Sequence, residues 1–248
     1  HLSIRRQRQM CIRDRCIYRM KKNITKKKSL ISQTKKAKSK GQLIEANYHH
    51  GDLRNLVLIK SCEFLEARGV YNLSLRDVAA AIGVSHTAPY RHFPKKIDLL
   101  YAITSLGFKE LRDTLRDAWN LSDDPIVKLN QAGENYIRLA WKNPRRTELM
   151  FSGEIYLEGP VPEELSIVGR EAYMGLYDII ALGQERGVFK KDDDAETLSM
   201  SVWSAVHGFA NLNERNIRSA KTEEDVKKIE QQLVALLRLI QIGIKVQT

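Results

Sequence analysis

The chain has 248 residues, of which 43% are hydrophobic and 29% are charged, and its formal net charge at pH 7 is +11. This length and apolar content exceed what one minimal module needs, so we expect a small domain joined to a larger one. No apolar run reaches the roughly 18 to 20 residues of a membrane span and no hydrophobic signal-peptide core is seen, so we expect a cytoplasmic protein without membrane contact.

The positive charge is concentrated at the N-terminus. Residues 1–19 hold six Arg and one Asp, residues 20–40 hold nine Lys and no acid, and residues 41–248 hold 26 basic against 29 acidic residues. The sequence pI of about 9.5 therefore reports mainly the leader and does not by itself indicate a nucleic-acid partner.

We expect the leader, residues 1–40, to be disordered, because it is rich in Lys, Arg and Ser and poor in apolar residues. We interpret residues 1–19 as artefactual, similar to translated adapter sequence, with Met20 as the natural start. Residues 21–40 have two readings: a solvated leader, or a basic arm that contacts DNA phosphates.

The first predicted helix runs from Asp52 to Arg68, and Cys62 lies on its inner face. Cys62 is the only cysteine outside the suspect leader, which favours a buried thiol over a disulfide or a metal ligand. This usage is typical of a reducing compartment.

Residues 73–96 then predict two short helices joined by a tight turn, followed by the start of a third. Ser74 can cap the first of them, and Gly83 stands where a left-handed residue would reverse the chain. Ser85 can cap the second helix, which is anchored by Val84 and Phe93. Its other side chains donate or accept hydrogen bonds or carry positive charge, as a recognition helix in a major groove requires.

The run Gly83 to Lys96, Gly-Val-Ser-x-x-x-Pro-Tyr-Arg-His-Phe-Pro-x-Lys, resembles the helix-turn-helix signature of the tetracycline-repressor (TetR/AcrR) family. The resemblance extends from Tyr48 to about Leu106. A weaker one, Trp203-Ser-Ala-Val-His-Gly208, is similar to the Trp-x-x-x-His-Gly motif of one branch's effector domain. The resemblance implies a DNA-binding domain at residues 48–95 and a helical effector-binding and dimerisation domain at residues 96–248.

Within this resemblance, nine residues are expected to contact DNA. The base-edge candidates are Arg76, His86, Thr87 and Tyr90. The phosphate candidates are Ser74, Ser85, His92 and Lys96, with Lys95 assisting. The sequence departs from the family pattern at Ala88, which lacks a hydroxyl, and at Pro89, where Leu is usual. For any one of these positions the alternative is a solvated polar side chain.

Downstream, apolar residues recur at helical spacing and no segment alternates with period two, so the predicted fold is all-α. One long helix carries Ile97 through Ala118, and the next lies between Pro125 and Pro144. The segment Gly153–Pro162 is predicted to be a loop. The remaining helices are predicted at about Glu163 to Arg186, Asp193 to Glu214, and Thr222 to Lys245.

The final two predicted helices each carry two apolar stripes. On the last helix, one stripe has Leu233 and Leu236 and the other has Leu239 and Ile242. Such helices pack against two surfaces. The pattern fits either a deeply buried core or a four-helix interface between two copies, and the family resemblance favours the homodimer.

Aromatic and apolar residues of several helices could converge on a ligand pocket, although such residues are also typical of plain core. The candidates are Phe108, Leu111, Trp141, Met150, Phe151, Tyr173, Trp203 and His207, with Tyr156 and Tyr177 in addition. Trp203 and His207 are four residues apart and share one helical face. A tightly packed helix crossing with a hydrogen-bonded His explains that motif equally well.

The sequence therefore predicts a homodimeric transcriptional regulator, more readily a repressor than an activator, that binds a palindromic double-stranded operator and responds to a small molecule. No phosphate-binding loop, catalytic motif or metal-ligand spacing is found, so no enzyme, cofactor or metal is expected. Two alternatives stay open at this point. One is a ligand-independent architectural protein that coats DNA through its Lys-rich arm, and the other is a helical enzyme or carrier with a vestigial head.

Overall fold

The computed structural model describes residues 53–246, and the predictions for the leader lie outside them. Eight α-helices are found there: α1 Leu53–Arg68, α2 Leu75–Ala81, α3 Lys96–Leu121, α4 Pro125–Lys142, α5 Pro144–Phe151, α6 Glu163–Glu185, α7 Ala195–Ser219 and α8 Glu223–Ile244. Two short 3-10 helices add to these, at Ala88–Arg91 and Glu154–Tyr156. The described residues contain no β-strand, so the all-α prediction is confirmed.

The helix ends follow local chemistry that the sequence displays. The Asp124 carboxylate accepts a hydrogen bond from Ile126 N at 2.9 Å at the start of α4. Thr222 and Asp225 form a reciprocal capping box at the start of α8. Gly187 closes α6 with φ +66°, a conformation in which a side chain would be strained.

One helix end and one whole helix differ from the prediction. Helix α7 continues to Ser219, five residues beyond the predicted end at Glu214. Helix α5 was not predicted, and the side chain of Asn143 at its N-cap makes no capping hydrogen bond. A carboxylate from a distant helix, Glu66 of α1, supplies that cap instead.

The second helix of the predicted reading head is also shorter than expected. It is the 3-10 turn Ala88–Arg91, and Thr87 rather than Ser85 stands at its N-cap. Pro89 has no N–H to donate to the Ser85 carbonyl, so an α-helical bond is lost, and Ala88 N bonds to that carbonyl at 3.0 Å in 3-10 fashion.

The buried residues form two main clusters. The head cluster includes Val57 and Leu65 of α1, Val78 of α2 and Phe93. The body cluster is built from α3 to α8 and is larger. Close helix crossings shape the body: at Gly175 of α6, an added Cβ would lie 3.0 Å from the Leu115 Cβ.

Candidate DNA interface and effector site

The head presents a polar face around the turn that precedes α3. Seven of the nine predicted DNA-contacting residues are exposed: Arg76, Ser85, His86, Thr87, Tyr90, Lys95 and Lys96. Ser74 and His92 are half-buried, and Lys96 is hydrogen-bonded within the head. Tyr90 is 45% exposed although it is a large aromatic residue.

The segment Gly83–Phe93, which carries most of these residues, is held in place by buried residues and by a backbone hydrogen bond. Pro89 is buried and Phe93 is only 1% exposed. Gly83 adopts φ +75° in the preceding turn, and Val84 N donates to Ala79 O at 3.0 Å. The backbone of the predicted reading segment is therefore fixed while its polar side chains point outward.

Four of the predicted contact residues already have partners within the head. Ser74 Oγ accepts from Asp77 N at 3.4 Å, and Lys96 Nζ donates to Val70 O at 2.7 Å. Ser85 Oγ lies 3.3 Å from Thr87 Oγ1. Among residues 53–246, by contrast, the side chains of Arg76, His86 and Tyr90 have no hydrogen-bond or ion-pair partner. These three side chains are available for an external partner.

In the body, an aromatic cluster surrounds Phe151 at the end of α5. Its ring centroid lies 5.6 Å from that of Phe108, 5.2 Å from that of Trp203 and 5.0 Å from that of His207. Trp203 and His207 are stacked with an interplanar angle of 10°. Four of the predicted pocket residues therefore meet at one place. We call Phe108, Tyr136, Phe151, Trp203 and His207 the aromatic cluster.

Tyr136 supplies the hydroxyl group of this cluster. Its Oη lies 2.5 Å from His207 Nδ1, and Asn211 Nδ2 lies 2.9 Å from His207 Nε2. Burial raises the pKa of Tyr136 and lowers the pKa of His207. At neutral pH the phenol therefore keeps its proton and the imidazole is uncharged.

The remaining predicted pocket residues are distributed around this cluster. Leu111 and Met150 are buried in the body core, 1% and 2% exposed. Trp141 packs beside Phe209 and donates its indole N–H to Ala210 O at 3.1 Å. Tyr173 lies on α6 near the start of α7, where burial, followed by the charge of Glu196, raises its pKa.

Sequence reasoning missed two residues of the site, Tyr136 and Asn211. Asn211 continues the spacing of Trp203 and His207 by one more helical turn, so the sequence did carry a signal for it. Tyr136 carried no such signal, because it reaches His207 from a different helix, 71 residues away.

The segment Leu149–Tyr156, which includes the end of α5 and the 3-10 helix after it, contributes side chains to both buried clusters. Leu149 and Ile155 are buried in the head cluster, while Met150 belongs to the body cluster and Phe151 packs against it. Neighbouring side chains of one short segment therefore pack in the head cluster and in the body cluster.

Charged groups stabilise the N-terminal end of α5. Glu66 accepts hydrogen bonds from the backbone nitrogens of Arg145 and Arg146, at 3.2 and 2.9 Å. The guanidinium of Arg146 is 7% exposed and forms an ion pair with Glu110 of α3. Burial raises the pKa of the neighbouring Cys62, so its thiol stays protonated.

A separate groove of about 510 Å³ opens to solvent between α3 and α6. Leu115, Trp119 and Met174 line it, together with Arg112 and Arg116. Both arginines have carboxylate partners, at 2.8 Å from Glu171 and 3.1 Å from Asp113. None of the residues that line the groove belongs to the aromatic cluster, whose buried Tyr136 hydroxyl and half-buried His207 imidazole make it the better candidate for specific recognition.

Neither a membrane span nor a metal-ligating group is found in the described part of the chain. No helix among residues 53–246 is long and apolar enough to cross a bilayer. Over the same residues, no three His, Cys, Asp or Glu side chains converge as metal ligands would.

Comparison with known families assigns both parts of the chain. The family of bacterial regulatory proteins called tetR matches residues 60–103, and the tetracyclin repressor-like C-terminal domain matches residues 129–237. A relative described as the HTH-type transcriptional activator FasR, from Mycolicibacterium smegmatis, is 23% identical over 128 residues. That match covers 52% of this chain and 58% of the relative.

Solved structures resemble the whole described fold. A protein of unknown function from Rhodococcus sp. RHA1 is 25% identical, with a TM-score of 0.69, and the match covers 82% of this chain and all of that one. The TetR family transcriptional regulator PfmR from Thermus thermophilus has a TM-score of 0.54 at 23% identity, covering 73% of this chain and 97% of that chain.

Proposed function

Because the chain belongs to the tetracycline-repressor family of bacterial transcriptional regulators, we propose that it acts as a homodimeric repressor that a small-molecule effector releases from a two-fold operator. Its relatives are transcriptional regulators rather than enzymes. The relative FasR is named an activator, so the sign of regulation is part of the test below.

Sequence-specific DNA reading is supported by the unpartnered side chains on the head. Arg76 can present its guanidinium to guanine O6 and N7, and Tyr90 and His86 carry groups that can bond base edges. Lys95 is exposed beside them and can contact a phosphate. A reading face of this kind distinguishes sequences, which an architectural arm of lysines does not.

Dimerisation is supported by an apolar face of α8 that the chain itself leaves exposed. Leu239 is 66% exposed and Ile242 is 54% exposed, and they share this face of α8 with the exposed Ala235. Leu212 of α7 is 79% exposed. Isolated exposed apolar residues are common, but a stripe along one helix indicates an interface, and a two-fold operator requires a two-fold protein.

The strongest support for effector control is the segment Leu149–Tyr156, whose side chains pack in both cores. A ligand that displaces Phe151 together with the end of α5 shifts Leu149 and Ile155 within the head. Two recognition segments fit one face of B-DNA only at about 34 to 36 Å separation. A ligand that prefers a different head position therefore weakens DNA binding, and DNA weakens ligand binding by the same factor.

The test starts from DNA selected from random duplexes with the purified chain. A two-fold site protected by the parent, and lost by an Arg76→Ala, His86→Ala double variant that stays folded, supports the reading head. A thermal-shift screen of small metabolites and toxic compounds then identifies ligands, and each hit is tested for release of that DNA. A reporter promoter carrying the site gives the sign of regulation. Unselective DNA binding contradicts the proposal.

A further inference from the structure

The five side chains of the aromatic cluster carry no charge at neutral pH. Burial raises the pKa of Tyr136 and lowers the pKa of His207, so neither group ionises there. The charged residues closest in sequence to Phe108 and Tyr136 are paired with other side chains: Lys109 with Glu164 at 2.6 Å, and Arg138 with Glu134 at 2.6 Å. An ionic ligand would enter this cluster without a free counter-charge, at a large desolvation cost.

The hydrogen bonds of His207 leave one donor unused. Asn211 Nδ2 faces His207 Nε2, so Nε2 accepts and the ring proton is carried by Nδ1. Nδ1 then donates to the Tyr136 oxygen 2.5 Å away. The hydroxyl proton of Tyr136 has no acceptor among the described residues. A buried hydroxyl with a free proton is a recognition point for an acceptor oxygen.

Met150 belongs to the same buried cluster as Tyr136 and precedes Phe151 in the chain. Met150 Sδ lies over Gly107 so closely that an added Cβ there would be 2.4 Å from the sulfur. Methionine has three rotatable bonds and vacates a site at little cost. Thr104, one turn before Phe108 on the same helix, is fully buried, and its hydroxyl has no partner in the described chain. A second unsatisfied polar group therefore lies in the same part of α3.

We infer that the aromatic cluster binds an uncharged ring compound bearing an acceptor oxygen, which accepts a hydrogen bond from Tyr136 and displaces Met150 and Phe151. The inference rests on the proposed function, because it names the chemical class of the effector. Stacking on Trp203 and Phe151 provides the apolar contacts, and Tyr136 provides orientation. Carboxylates and other anions of the same shape are excluded by the uncharged lining.

The test uses three ligands of one ring system: 2-acetylnaphthalene, 2-ethylnaphthalene and 2-naphthoate. Binding to the full chain is measured by calorimetry. The ketone is expected to bind about 3- to 10-fold more tightly than the ethyl compound, and the carboxylate at least about 10-fold more weakly than the ketone. In Tyr136→Phe the advantage of the ketone should disappear while affinity for the ethyl compound is kept. Tyr71→Phe, an exposed change in the head, should leave all three affinities unaltered.

The outcomes separate the ligand class from the function. Absence of binding by all three compounds, tighter binding of the carboxylate, or a ketone preference that survives in Tyr136→Phe would overturn the inference. Each of these leaves operator binding and release by another compound open to the screen described above. Binding with the expected order but no change in DNA affinity would sustain the ligand class and contradict effector control.

Discussion

The carboxylate of Glu66 on α1 caps α5 by accepting a hydrogen bond from the backbone nitrogen of Arg146, 2.9 Å away. The two residues are 80 positions apart, and the bond connects the first helix of the head to the helix that ends at the aromatic cluster. A negative charge at a helix N-terminus also interacts favourably with the helix dipole.

Glu66→Ala should therefore lower the free energy of unfolding by about 1 to 2 kcal/mol, because the first N–H groups of α5 lose their acceptors. Glu66→Gln retains an oxygen and should lose less. Urea unfolding followed by circular dichroism measures both changes. Glu63→Ala is the matched control, since Glu63 lies on the same helix and pairs only with Lys60 at the surface. Equal losses for Glu66→Ala and Glu63→Ala would show that the cap contributes nothing.

Tyr90→Ala should weaken operator binding by about 1 to 3 kcal/mol, because the side chain is exposed on the predicted reading face and its loss removes a base contact. Dimerisation should be unchanged. Fluorescence anisotropy with labelled operator gives the affinity, and Tyr71→Ala controls for the loss of an exposed tyrosine elsewhere on the head. Unaltered affinity in Tyr90→Ala would mean that the reading face lies elsewhere.

Leu239→Glu should convert the dimer to monomer, because it places a carboxylate in the proposed apolar interface. Leu239 suits this test better than Leu236, which packs partly against the core of its own chain, so a charge at 236 would also disturb folding. Sedimentation velocity measures the change. Leu157→Glu is the control: it makes the same substitution in a loop, at a residue that is 87% exposed, and should leave the oligomeric state unaltered. A dimer that persists in Leu239→Glu places the interface on another surface.

Removal of residues 21–40 should reduce the salt dependence of DNA binding without removing sequence selectivity. Each phosphate neutralised by the arm adds about 0.9 to the slope of log affinity against log salt concentration, so several units should be lost. Selectivity should survive because Arg76, His86 and Tyr90 remain. Titrations of operator and scrambled duplexes compare chains that begin at Met20 and at Gly41. An unchanged slope would mean that residues 21–40 do not contact DNA phosphates.

Acid should destabilise the fold through His207. Its folded pKa is lowered by burial below the ordinary value of 6.5, so the unfolded chain binds more protons and stability rises with pH. The contribution is complete above about pH 6.5 and is lost as the pH falls through the folded pKa. His207→Gln should flatten the dependence of the unfolding free energy on pH below about 6.5. His86→Gln, at an exposed site, is the control, and equal slopes in parent and His207→Gln would contradict the effect.

The sequence by itself determined the helical class and most helix positions. Periodic apolar residues, Ser74, Asp124 and the Thr222 capping box act within a few residues of chain, so their effects can be read locally. The head was likewise recognisable from one contiguous motif, although the 3-10 geometry around Pro89 was not foreseen.

Only the tertiary structure decided how the head and the aromatic cluster are connected. Helix α5 depends on a cap from Glu66, and the hydroxyl that meets His207 comes from Tyr136 on another helix. Among the predicted pocket residues, Phe151 joined the aromatic cluster while Tyr173 lies near the start of α7. Helical spacing fixes which face of a helix a side chain occupies, but it does not fix which distant helix packs against that face, because those contacts form between residues far apart in the chain.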